Sequence, residues 1–178
     1  MRATRFRAAA GGPVGADAPG YSMIELVVVI AIMGVLAAYA LPSWFDSRRN
    51  NLTMTKTRLV RDLRYAREIA LQEHNPVVAK FDAVAESYTI YRYGTGVALA
   101  DPSNTSKNLS FTLNGTGNSG GVNIVSAAFG ATPGVRFNSW GAPCDTTGTA
   151  LAAIGTVILN CGSYNDTLRV EPGTGYIR

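Results

Sequence analysis

Residues 26–41 read LVVVIAIMGVLAAYAL: no charged side chain, and Gly34 as the one weak helix former. Met23 and Ile24 extend the apolar stretch to about 19 positions, roughly 28 Å of helix at 1.5 Å per residue. That nearly spans a hydrocarbon core of about 30 Å. One carboxylate, Glu25, interrupts the start of the run, Gly20 lies just before it, and Arg2, Arg5 and Arg7 precede both. A charge at the centre of a membrane helix costs about 2.5–3.5 kcal/mol on insertion scales. Glu25 is therefore expected to have a partner and a task.

Three readings of this segment compete. Ala38-Tyr39-Ala40 resembles the small-x-small site of a secretory signal, but the run exceeds the usual apolar region of about 7–15 residues. A plain single-span anchor explains the length and leaves Glu25 without purpose. Cleavage after Gly20 would free an α-amine on Tyr21, with Glu25 four residues on, one turn away on the same helix face. Amine and carboxylate could then neutralise one another within a chain or between chains, and between chains they would set the axial register of packed helices.

The stretch Gly20-Tyr21-Ser22-Met23-Ile24-Glu25-Leu26, followed by the apolar run, resembles the processing site of type IV pilins and type II secretion pseudopilins. The resemblance implies that a prepilin peptidase cuts between Gly20 and Tyr21 and that Tyr21, where that family commonly has Phe, is N-methylated. It implies that Glu25 recruits and registers subunits during assembly, and that Pro42 is the helix-bending proline. The leader would stay cytoplasmic and the remainder would emerge on the outer side of the inner membrane. Arg48 and Arg49 flank the other end of the span, so loop charge supports this orientation only weakly.

After Pro42, which cannot donate to the helix ladder and predicts a kink, helical periodicity resumes. Leu52, Leu59, Leu63, Ala66 and Ala70 form one stripe, widened by Val60 and Ile69. Lys56, Arg58, Arg61, Arg64 and Arg67 occupy much of the remaining surface. They read as a face for anionic partners or, more plainly, as a solvated or packed face with Asp62, Glu68 and Glu73 as local partners. The helix is expected to stop near Asn75-Pro76.

Beyond it, short β-rich runs at 77–81, 87–93, 109–113, 122–125, 135–137, 156–160, 168–171 and 175–178 alternate with turn-rich loops. Tyr91 and Tyr93 should share a strand face opposite Tyr88. An antiparallel sheet lying across the helix would cover the apolar stripe. The fold class is α+β: a long helix, half membrane and half amphipathic, packed against a C-terminal sheet domain. The corresponding segments are a cleaved leader (1–20), an assembly helix (21–42), an amphipathic spine (43–75) and a β-rich globular part (76–178). Residues 64–78, together with 134–138 and the closing 168–170 and 175–178, resemble the GspH/FimT-type minor pilins.

Apolar residues make up 47% of the 178 and charged residues 16%, which excludes a disordered chain. Three of the 16 basic residues and one of the 12 acidic ones precede residue 20. The pI of 9.3 thus partly describes the leader. Cys144 and Cys161 have no histidine or further cysteine at metal-ligand spacing; in an exported chain a disulfide between them is expected, the alternative being two buried thiols. Nucleophile-elbow, P-loop, dinucleotide and zinc-protease patterns are missing. His74 reads as a helix-end residue, and Asp101 and Asp145 lack the acidic spacing of a calcium loop. No enzymatic activity, cofactor or metal is expected. Trp140 is a candidate for a partner contact or a lid over the core.

Some FimT-like relatives bind DNA through a C-terminal Gly-Arg-x-Arg. Here Gly175-Tyr176-Ile177-Arg178 keeps the glycine and the last arginine. Tyr176 could stack on a base, Arg169 could add a cation, and the missing arginine removes a phosphate contact. The expected partners are thus the prepilin peptidase, other minor and major pilins or pseudopilins and the inner membrane, with DNA as a further alternative. The expected function is that of a minor pilin that starts a type IV pilus or sits at its tip. The alternatives are the GspH-type pseudopilin of a type II secretion system and a DNA-uptake receptor.

Overall fold

A computed structural model describes residues 22–113 and 120–178, without the side chains of 39–46. The chain divides into two units, residues 1–41 and 42–178. One helix, α1 (Met23–Glu73), runs through Pro42. In the first unit every described side chain from 22 to 38 is exposed, apolar residues included. In the second unit the same helix is amphipathic, with Leu52, Leu59, Leu63, Ala66 and Ala70 buried as one stripe.

α1 stops at Glu73 because His74 turns left-handed, with φ 51°. A side chain costs roughly 1–2 kcal/mol in that conformation. Pro76 then carries the chain into the first strand.

The strands are β1 (Val77–Asp82), β2 (Ser87–Arg92), β3 (Ala100–Asp101), β4 (Asn104–Asn108), β5 (Ser110–Thr112), β6 (Val122–Ala128), β7 (Gly134–Phe137), β8 (Pro143–Asp145), β9 (Gly155–Cys161) and β10 (Tyr164–Val170). All pairings are antiparallel. The expected single sheet resolves into a five-stranded sheet ordered β5-β2-β1-β7-β8, a three-stranded sheet ordered β10-β9-β6, and the small β3-β4 hairpin. One core joins the helix stripe to Val77, Ala79, Phe81, Tyr88 and Ile90 of the first sheet and to Val157, Leu159, Leu168 and Val170 of the second. Each of these large side chains contributes about 1.5–3 kcal/mol on burial.

Two glycines mark close approaches, Gly155 in this core and Gly134 on the other face of the five-stranded sheet. A Cβ on Gly155 would lie 2.3 Å from Cδ1 of Phe129. At Gly134 it would lie 2.9 Å from the Ala79 carbonyl.

Three strands fall where turn-rich loops are expected. β3 and β8 lie within 94–107 and 138–152, and β4 lies there but for its last residue, Asn108, because Asn, Ser, Thr, Pro and Asp at a sheet edge imitate loop composition. The terminal segment 175–178 is a single bridge, Val170 to Ile177, rather than a full strand. The expected Cys144–Cys161 disulfide is not formed. Both thiols are free and buried. Cys144 pairs with Arg136 at the edge of the five-stranded sheet, whereas Cys161 pairs with Val122 and Tyr164 in the three-stranded one. Burial pushes the Cys144 thiol up from its ordinary value, against the pull of Arg136.

Candidate functional site

Gly20 and Tyr21 lie outside the described residues, so the expected cleavage point does too. The helix begins immediately after them: the Glu25 and Leu26 amides donate to the Ser22 carbonyl at 3.0 and 3.2 Å. Glu25 occupies the first turn, where the helix dipole favours a carboxylate. Its side chain is exposed, and its carboxylate holds no bond among the described residues. Ser22 and Glu25 also stand at the spacing of a capping box, a signal that the sequence reading passed over. Around Glu25 lies an exposed apolar surface on every side of the helix, from Met23 and Ile24 to Val35 and Leu36. A helix apolar all round is not built to face water. Among the described residues no helix is long and apolar enough to cross a membrane; the described side chains of this unit end at residue 38.

In the second unit the basic face is largely tied to its own sheets. Lys56 Nζ meets Asp166 Oδ1 at 2.7 Å. Arg64 donates to the Ile177 carbonyl at 2.8 Å and Arg67 to the Gly141 carbonyl at 3.0 Å. Arg58 and Arg61 flank Asp62, which is 1% exposed and accepts a 2.7 Å hydrogen bond from the Tyr88 hydroxyl. Burial, then the adjacent carboxylate, push the Tyr88 phenol well up. Arg58 lies 3.7 Å over the Phe111 ring. This cluster pins the helix to β2 and β5, and Glu73 repeats the device at the helix end with a bidentate pair to Arg92. Of the local partners expected for the basic face, Asp62 serves it; Glu68 bonds Gln72, and Glu73 reaches the sheet.

The C-terminal candidates are brought together in part. Arg169 and Arg178 exchange both backbone hydrogen bonds, at 2.9 and 3.1 Å. With Lys56, Asn165, Asp166 and Thr167 they line one cleft. Arg178 is paired with Glu171 at 3.0 Å, and Tyr176 is 55% exposed beside them. Trp140 is 78% exposed on a turn held by Asn138, whose Oδ1 accepts the Trp140 and Ala142 amides, so it is no lid. Tyr88 faces the helix, while Tyr91 and Tyr93 lie on the sheet's other side, as the alternation predicts.

An apolar helical segment led by a first-turn carboxylate, and an amphipathic segment clasped by antiparallel sheets, together define a pilin-type filament subunit. The chain belongs to the family described as type II transport protein GspH, whose model matches residues 57–174. It is a minor pilin or pseudopilin of that type. No curated protein sequence matches it. The minor pseudopilin EpsH from the type 2 secretion system of Vibrio cholerae shares its fold, with a TM-score of 0.52 and 12% identity over 72% of this chain and 94% of that one. The type IV minor pilin FimU of Pseudomonas aeruginosa does so with a TM-score of 0.50 and 14% identity over 73% and 88%.

Proposed function

We propose that this chain is a minor pilin of a type IV pilus, a structural subunit acting in assembly initiation or at the tip. The observation that carries the reading is α1, whose apolar half bears an exposed, unbonded Glu25 while its other half seats the sheets. Prepilin peptidase cuts after Gly20 and methylates Tyr21. The apolar helix rests in the inner membrane with the globular unit on the periplasmic side. Glu25 then docks against the free amine of a neighbouring subunit, and the globular unit adds lateral contacts. Mass spectrometry of the mature protein should find methylated Tyr21 at the N-terminus; any other terminus overturns the processing step.

A second reading, the equivalent pseudopilin of a type II secretion system, draws support from the family's description. A deletion strain separates the two. Loss of pili with intact protein secretion supports the first, and the reverse supports the second. DNA uptake draws support from the Arg169–Arg178 pairing. Failure of the protein to retard DNA at low salt removes that reading, and Arg178→Ala should weaken any retardation seen.

A further inference from the structure

The five-stranded sheet has a second face, turned away from the helix. Val78 of β1 lies on it, directly across from Tyr91 of β2 and Arg136 of β7. Although it belongs to no part of the main core, Val78 is 1% exposed. The turn after β8 closes over the same face. A Cβ on Gly134 would lie 2.9 Å from Thr146 Cγ2, and one on Gly148 would lie 2.9 Å from Arg136 Nη1. Gly148 has φ +102°, which a side chain rarely adopts.

Arg136 is the centre of this arrangement. Its guanidinium lies over the Tyr93 ring, with Cζ 3.9 Å from the centroid. Its Nε is buried without a hydrogen-bond partner. Arg58 Nε is likewise without a hydrogen-bond partner, but that guanidinium lies 3.6 Å from Asp62 and 3.9 Å from Asp101; Arg92 pairs with Glu73, and Arg67 meets a carbonyl. Arg136 meets neither among the described residues. The nearest carboxylate along the chain, Asp145, pairs across from Val135 and so faces the other way. Its Oδ1 is engaged by the Thr147 hydroxyl and the Gly148 and Thr149 amides. This half-buried cation, with Asp145 turned away, is paired with no carboxylate among the described residues.

We propose that Arg136 receives a carboxylate side chain of a partner protein, on a platform made by Tyr91, Tyr93 and Lys80. A guanidinium presents a planar fork that matches a carboxylate in two parallel hydrogen bonds, and contact with the Tyr93 ring restrains that fork before the partner arrives. Tyr91 and Tyr93 supply the amphipathic contact area typical of interface centres. A nucleic-acid backbone asks for a row of cations; the other charges on this face are Lys80 and Asp82, which oppose one another. The contact adds to the assembly reading a docking point on the globular unit. The titration below uses no filament partner, so it can fail while that reading stands.

The test is an NMR titration of the full chain in zwitterionic detergent micelles, read at the Tyr93 ring. The probes are N-acetylglutamate amide with its side-chain carboxylate free, the corresponding glutamine compound, and inorganic phosphate, all at one ionic strength. The glutamate compound should produce a saturable shift that the glutamine compound does not. Arg136→Lys, which keeps the charge and loses the fork, should bind about tenfold more weakly or worse. Equal response to the glutamine compound, tighter binding of phosphate, unchanged affinity in Arg136→Lys, or no saturable shift each overturns the proposal. The wild-type titration decides even where that variant does not fold.

Discussion

Glu25 and Asp62 are two carboxylates on one helix with opposite surroundings. Asp62 is nearly inaccessible and is met by Arg58, Arg61 and the Tyr88 hydroxyl. Glu25 is exposed amid apolar side chains and is met by nothing among the described residues. Helical secondary structure is common to both, so it explains neither. What differs is where the partner comes from. The second half of α1 finds its apolar and charged partners inside the chain, through the two sheets. The first half has none among the described residues, and a helix apolar all round is not built to face water.

The comparison breaks most sharply on the charges themselves. Asp62→Ala leaves Arg58, Arg61 and Tyr88 facing a hole and should destabilise the globular unit by about 3–5 kcal/mol, seen as a lowered midpoint in thermal unfolding followed by circular dichroism. Glu25→Ala should leave that midpoint unchanged while abolishing incorporation into filaments. Next come paired deletions of one side chain. Leu63→Ala, at a fully buried site, should cost about 2–5 kcal/mol. Leu36→Ala, at a site 63% exposed, should leave the unfolding midpoint where it was. Equal losses from both would mean that the apolar half is packed within its own chain.

Smaller effects sharpen the boundary where the helix stops. His74→Gly relieves the left-handed conformation and should raise stability by about 1 kcal/mol, against no gain at the exposed helical position Gln72. The Arg92 hydrogen bond holds Glu73 below its ordinary value of 4.5. A depressed folded value means that this contribution is present above about pH 4.5 and is lost as pH falls through the lower, folded value. Arg92→Gln should therefore lower stability modestly near neutrality and change little once Glu73 is protonated, so that the acid limb of a stability-versus-pH curve becomes shallower.

The α+β class and the helix stripe were legible in the sequence because both depend on periodicity. Leu52, Leu59, Leu63, Ala66 and Ala70 announce one face whatever covers them. The sheet partition was not legible, since it turns on details such as the bulge between Ile124 and Ser126 and the approach of Phe129 to Gly155. Hydropathy also misses β4 (Asn104–Asn108), a strand with every residue exposed. The cysteines are instructive: export and an even count suggest a bridge, but topology assigns them to different sheets. At the functional end, Glu25 was legible because a charge in an apolar run is anomalous in one dimension. Arg136 is anomalous only in three, when its fork, the Tyr93 ring and the averted Asp145 are seen together.

Glu86 has a consequence of a different kind. It sits left-handed at the β1–β2 turn, and its carboxylate accepts the Ile124 amide on β6, the outer strand of the three-stranded sheet. An unpaired edge amide is where a foreign strand would begin to add. Glu86 acts there as a gatekeeper, closing one entry to cross-β growth.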